Sequence, residues 1–314
     1  MTRACIISSL FLLSIFTQAQ DVHYSQFNKT KALLNPSLIA YQNDDYEMQI
    51  QRRSQWASIT TPFNTFSLSF NAKQVYKGLS MGATILNDLA GDSDFSTKGL
   101  SFSLANFFNT RNNTIFAGLQ TAFYQRSINY DNLIFIENET FANTELVFFD
   151  FAMGISNYKK INQNSSLLLG FSSYHLNKPN QSLISSEKVF LNPKYVFHLA
   201  YYNRINSKID VSPTLYISLQ NTDNEIVFGG DLTYELNQEI NLKSGVYSRI
   251  NDAFLIALGI QKANLEIIAS YDINTSTLVS ASNFMGAFEF SIRYGWSILK
   301  EKKEIKQKVC PKYL

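Results

Sequence analysis

The chain has 314 residues, of which 17% are charged and 14% aromatic, with 25 Phe, 17 Tyr and a formal net charge of +2. Soluble domains carry about a quarter charged residues and nucleic-acid binders a marked basic excess. The composition therefore points away from nucleic acid and toward a protein whose surface meets lipid.

Residues 1–20 read MTRACIISSLFLLSIFTQAQ, with Arg3 ahead of an eleven-residue apolar core, Ile6 to Phe16. That core is too short to cross a bilayer as a helix, and small residues at Thr17 and Ala19 fit a signal peptidase, so residues 1–19 are expected to be a signal peptide. Cys5 precedes the core, which argues against a lipoprotein anchor. Cleavage would leave Cys310 as the one cysteine, so no internal disulfide is expected. No later stretch approaches the apolar run of about eighteen residues that a membrane helix needs.

Beyond a short lead at 20–45, fourteen segments alternate apolar with polar side chains: 46–55, 63–73, 78–87, 98–108, 114–127, 145–157, 165–175, 194–204, 208–220, 226–236, 239–249, 253–262, 264–273 and 286–298. TFSLSFNA sets Phe66, Leu68 and Phe70 against Thr65, Ser67 and Ser69. FEFSIRYGW sets Phe288, Phe290, Ile292, Tyr294 and Trp296 against Glu289, Ser291 and Arg293. Strict alternation marks strands with unlike faces, and about ten residues is the length of a tilted strand crossing a bilayer. Connections at 74–77, 109–113, 205–207, 237–238 and around Ala263 are tight. Those at 88–97, 128–144, 176–193 and 274–285 are expected to be long. Short turns on one side and long loops on the other are the pattern of an outer-membrane barrel, although 221–225 and 250–252 are short where loops belong. Pro213 falls inside the ninth segment, where a closed barrel offers no free edge, and is expected near a strand start or at a bulge. The reading is an all-β transmembrane antiparallel β-barrel of about fourteen strands over 46–298, exported to the outer membrane. A tail at 299–314 would lie in the periplasm; Lys300 to Leu314 holds six lysines and two glutamates. An exported soluble sandwich is the competing architecture.

HYSQFNKTKALLNPSLIA (23–40), QRRSQWASITTPFNTFSLSF (51–70), ATILNDLAGD (83–92), LLLGFSSYHLNKPNQSL (167–183), the closing hairpin to Trp296 and the terminal CPKYL follow one another. In that order they resemble the PorP/SprF family of outer-membrane proteins of the type IX secretion system of Bacteroidota. Arg52 and Arg53 stand where tyrosine–arginine is common in that family. The resemblance implies a non-enzymatic component that supports export or surface attachment of secreted proteins, in some species gliding adhesins. Its partners would be secreted proteins with a C-terminal sorting domain, periplasmic or peptidoglycan-linked secretion components, and outer-membrane lipid, with no cofactor. A passive or solute-specific porin is the alternative.

Tyr294 and Trp296 are expected in the interfacial aromatic girdle. Candidate contacts to a partner or the lumen are Asn35, Pro36, Arg53, Gln55, Trp56, Arg126, Arg249, Arg293 and Cys310. Asn35–Pro36 reads as a turn aiming the chain into the barrel, or as a short plug within it. Trp56 reads as a girdle residue or a rim contact. Arg53, Arg126, Arg204, Arg249 and Arg293 alternate with Glu47, Asp231, Glu235, Glu266, Asp272 and Glu289 on the lumen face, where mutual pairing is the first expectation. A surface gripping a polypeptide is the second. Cys310 reads as reactive through its lysine neighbours or as inert. The three histidines, His23, His175 and His198, form no recognisable catalytic constellation with a serine or an acid, and no enzyme activity is expected.

Overall fold

The computed structural model describes residues 23–55, 61–91, 95–129, 144–183, 188–276 and 285–298. The expected signal peptide and basic tail lie outside them. Fourteen antiparallel strands close into one barrel. They are β1 (Tyr46–Gln55), β2 (Phe63–Tyr76), β3 (Leu79–Ala90), β4 (Phe95–Asn109), β5 (Asn113–Ser127), β6 (Glu145–Lys160), β7 (Ser165–Tyr174), β8 (Lys194–Arg204), β9 (Ile209–Gln220), β10 (Asp223–Glu235), β11 (Ile240–Arg249), β12 (Ala253–Lys262), β13 (Leu265–Asn274) and β14 (Met285–Trp296). Each strand pairs with its sequence neighbour, and β1 pairs with β14 from Tyr46↔Trp296 to Gln55↔Ala287, which leaves no edge.

The alternation has a physical cause in the two sides of the wall. Outward positions such as Met48, Phe70, Leu104, Leu119, Leu258 and Phe288 are exposed and apolar. The residues between them, such as Gln51, Ser67, Ser103, Gln120 and Glu289, point inward and are buried. The usual order of a soluble protein is therefore inverted, as a lipid-facing barrel requires. Tyr46 and Trp296 stack outside at 5.5 Å, with Tyr294 at 5.7 Å from Trp296 and Phe70 at 6.2 Å from Tyr46. They form an aromatic patch at the end where the chain enters and leaves the barrel. Trp296 fluorescence, read in a Trp56→Phe background so that it reports alone, is expected to be strongly quenched by lipids brominated close to the headgroup. Quenching no greater than by a water-soluble quencher would show that this patch does not meet lipid.

Connections at the entry end are tight, among them 77–78, 110–112, 161–164 and 205–208, and the strand ends joined by the longest ones, 128–144, 175–193 and 275–284, lie at the other end. At Lys77–Gly78 both residues have positive φ (46° and 85°), the geometry of a two-residue hairpin turn. The connection expected to be long at 88–97 is short. β3 continues to Ala90 and β4 begins at Phe95, because polar residues that read as loop are used on the inner face. Thr65 Oγ1 donates to Asp88 at 2.6 Å, and Thr97 Oγ1 accepts from Arg126 Nε at 3.3 Å.

Pro213 also departs from expectation. It is the fifth residue of β9, and the register does not shift there. Instead the β8–β9 ladder lapses between Ala200↔Thr214 and Asn203↔Val211, over Tyr201–Tyr202 opposite Ser212–Pro213. The missing N–H is thus absorbed by a gap in one ladder, while β10 stays paired on the other side.

The apolar interior is assembled by the N-terminal lead. Residues 23–45 lie inside the barrel, with one helical turn at Lys31–Leu34 and a 3-10 turn at Pro36–Ala40. One buried apolar cluster joins Phe27, Leu34 and Leu38 to Leu168, Val196 and Leu255. A second joins Ala32, Ile39 and Ala40 to Ala105 and Phe116. Both clusters form where the lead packs on the wall.

Candidate functional site

The lead crosses the lumen from one wall to the other. Near the long-loop end, Arg53 Nη1 donates to the carbonyl of His23 at 2.9 Å. The Glu289 carboxylate accepts from the backbone N–H of Ser25 (2.7 Å) and Gln26 (3.0 Å), and Asp272 accepts from Ser25 Oγ (2.5 Å). Gln26 also donates to Ser270 Oγ at 3.0 Å and accepts from Ser291 Oγ at 2.6 Å. Phe27 then packs on Tyr216 and Tyr247, with centroids 4.9 and 5.8 Å away.

On the far wall the chain sits in a notch made by glycine. Gly118 on β5 lies opposite Gly154 on β6, and Gly170 follows on β7. A Cβ on Gly154 would stand 2.0 Å from Asn35 Oδ1, one on Gly118 2.5 Å from Ser37 N, and one on Gly170 2.3 Å from His198 Nε2. Glycine in a strand interior often marks such close backbone approach. Asn35 is fully buried. Its side-chain amide nitrogen lies 3.1 Å from the carbonyls of Ile155 and Phe171 and 3.2 Å from His198 Nε2. Its oxygen accepts from Ser37 N and Ser37 Oγ, and Ser37 Oγ in turn bonds Ser156. The structure packs Asn35–Pro36 in the lumen against β5, β6 and β7.

The charged residues form two groups. The first, toward the long-loop end, sets Arg53 against Asp272 (3.3 Å) and Glu289 (3.9 Å), and Arg249 against Glu225 (2.8 Å), Asp252 (2.9 Å) and Asp272 (3.6 Å). The second, toward the tight-turn end, sets Arg293 against Glu47 (3.3 Å), Asp44 (3.7 Å) and Glu266 (3.8 Å). Lys31 reaches Glu47 at 2.7 Å, Lys29 reaches Glu266 at 3.7 Å, and Lys243 also bonds Glu266. Burial pulls the Lys31 ammonium below its ordinary pKa, against the nearby Glu47. Burial acts on Lys29 in the same direction, but Glu266 and Asp231 outweigh it and raise that group.

The other expected site residues scatter. Arg204 pairs with Asp210 at the exposed rim (2.8 Å) rather than in the lumen. Arg126 lies near the long loops, over the rings of Phe95 and Phe148 and bonded to Gln181. Gln55 ends β1, opposite Ala287 and Phe63. Trp56 and Cys310 lie outside the described residues. Sequence reasoning missed Ser25, Gln26, Lys29 and Lys31, which carry much of the lead's contact with the wall. The detectable signal was three glycines at inward positions of consecutive strands.

Solved structures share the fold. The chain is similar to the Ralstonia pickettii toluene transporter TbuX, at 12% identity over 83% of this chain and 91% of that one, with a TM-score of 0.52. It is also similar to the P. putida toluene transporter TodX, at 9% identity over 85% and 94%, with a TM-score of 0.49. No curated protein matches the sequence. The family model described as type IX secretion system membrane protein PorP/SprF matches residues 16–294.

Proposed function

The chain belongs to the PorP/SprF family of type IX secretion system membrane proteins, and from that membership we propose that it is a non-enzymatic docking component of the machinery in the outer membrane. It binds secreted proteins through their C-terminal sorting domain and supports their export or attachment at the surface, gliding adhesins among them. Periplasmic or peptidoglycan-linked components engage it from the tight-turn end, which faces the periplasm in barrels of this kind. The observation that carries this reading is the lead. A segment continuous with β1 crosses the lumen and packs on its walls, which favours a barrel that works through its two mouths over one that conducts solute as a porin does.

Purification of the tagged protein from its own cells in mild detergent, followed by mass spectrometry, is expected to recover near-stoichiometric amounts of a secreted protein with a C-terminal sorting domain. Periplasmic secretion components should come with it. A bare barrel with no partner would count against docking as the function.

A further inference from the structure

Below the lead, at the tight-turn end, the barrel holds a cavity of about 620 Å³. Four lysines line it: Lys29 and Lys31 from the lead, Lys243 from β11, and Lys160 at the end of β6. The carboxylate partners of Lys29, Lys31 and Lys243 lie behind them. The Glu47 and Glu266 side chains are 2% and 6% exposed, whereas those of Lys29, Lys31 and Lys243 keep 18%, 18% and 21%. Glu266 is shared by Lys29, Lys243 and Arg293, and Glu47 by Lys31 and Arg293. Around these three lysines the cavity is therefore presented with N–H donors, the Glu47 and Glu266 carboxylates being covered, while Asp210 lies in the lining paired with Arg204. Asp231, also in the lining, accepts from Asn28 Nδ2 at 3.0 Å.

Two further features narrow the ligand. The mouth carries carboxamides, among them Asn43, Gln163, Asn164 and Asn203, each able to donate to and accept from a peptide backbone, while the Asn162 oxygen there already accepts from the N–H of Asn164 and Ser165. The walls between mouth and lysines include Leu34, Leu38, Leu168, Tyr158 and Tyr202, which offer apolar and aromatic surface for side chains. A lipid chain would leave the carboxamides unmatched, and a free inorganic anion would use neither walls nor mouth.

We propose that this cavity receives the end of an extended polypeptide entering from the tight-turn side, its terminal carboxylate held by Lys29, Lys31 and Lys243 and its backbone by the carboxamides at the mouth. This rests on the reading that the protein docks polypeptides and specifies which part of one it takes. Ammonium–carboxylate hydrogen bonds are among the stronger polar contacts, and the walls shield them from bulk water.

The test uses full-length protein immobilised in detergent and a pool of short, N-acetylated synthetic peptides of randomised sequence, with free C-terminal carboxylates in one arm and C-terminal amides in the other. Free-carboxylate peptides should be retained, with amidation weakening binding about tenfold or more, the worth of one charge-assisted hydrogen bond. Lys243→Gln should abolish the preference and Lys243→Arg keep it. Because the acid–amide comparison is made on the unaltered protein, it does not depend on either variant folding. Equal retention of both arms, or retention of neither, overturns the proposal. Recovery of a secreted partner from cells would stand in either case, so failure here is separable from failure of the docking function.

Discussion

Replacing Gly154 by valine is expected to lower the stability of the folded barrel by about 2–6 kcal/mol. Overpacking a filled site costs about 1–3 kcal/mol, and a buried amide stripped of its partners costs about 1–3 more. Both apply here. The new Cβ would stand 2.0 Å from Asn35 Oδ1, 2.8 Å from Asn35 Cγ and 3.1 Å from Pro36 Cδ. Asn35 cannot move aside without leaving Ile155 O, Phe171 O and His198. The measurement is the temperature at which the folded band is lost on a heat-modifiability gel. The neighbouring outward substitution Ala117→Val serves as control, since Ala117 is exposed on the lipid side of β5. An unchanged transition for Gly154→Val would mean that Asn35–Pro36 is not seated against β6.

Arg53→Met is expected to cost a similar amount, about 3–5 kcal/mol, the usual penalty for breaking a buried ion pair by removing one partner. Arg53, Asp272 and Glu289 are all almost fully buried. Without the guanidinium, Glu289 loses the cation that faces it, and Asp272 keeps Arg249 at 3.6 Å. The carbonyl of His23 loses its donor as well. Neutralising the stranded acid should recover part of the loss, so Arg53→Met with Glu289→Gln should be less destabilised than the two single losses added together. The same gel transition, read across all four members of the cycle, gives the coupling. Strict additivity would show that Arg53 and Glu289 do not interact.

The strands were legible because lipid on one side and a polar, filled lumen on the other impose a two-residue period strong enough to survive in a single sequence. β1, β8 and β12 begin and end where the alternation does. Legibility failed where that contrast fades. At Asn87–Asp88 and Ser96–Lys98 polar residues occupy both faces of the wall, so strand reads as loop. Pro213 misled because the adjoining ladder lapses rather than bulging. The lead was least legible. HYSQFNKTKALLNPSLIA has no sustained period, since its side chains are distributed among several parts of the surrounding wall. Its polar residues look like a solvated linker until Glu289, Asp272 and Ser291 are seen to meet them. The charged lumen residues were visible as a set, but their division into two groups was not, because it depends on which carboxylate each lead residue covers.

The central claim is that the barrel is closed by its own N-terminal lead and acts through its mouths. Planar-bilayer recordings of the full-length protein beside a variant lacking residues 23–41 test it most directly. The full-length protein should give no steady conductance steps, and the deletion should open a channel. A full-length protein that conducts as freely as the deletion would contradict the claim and make the barrel a pore.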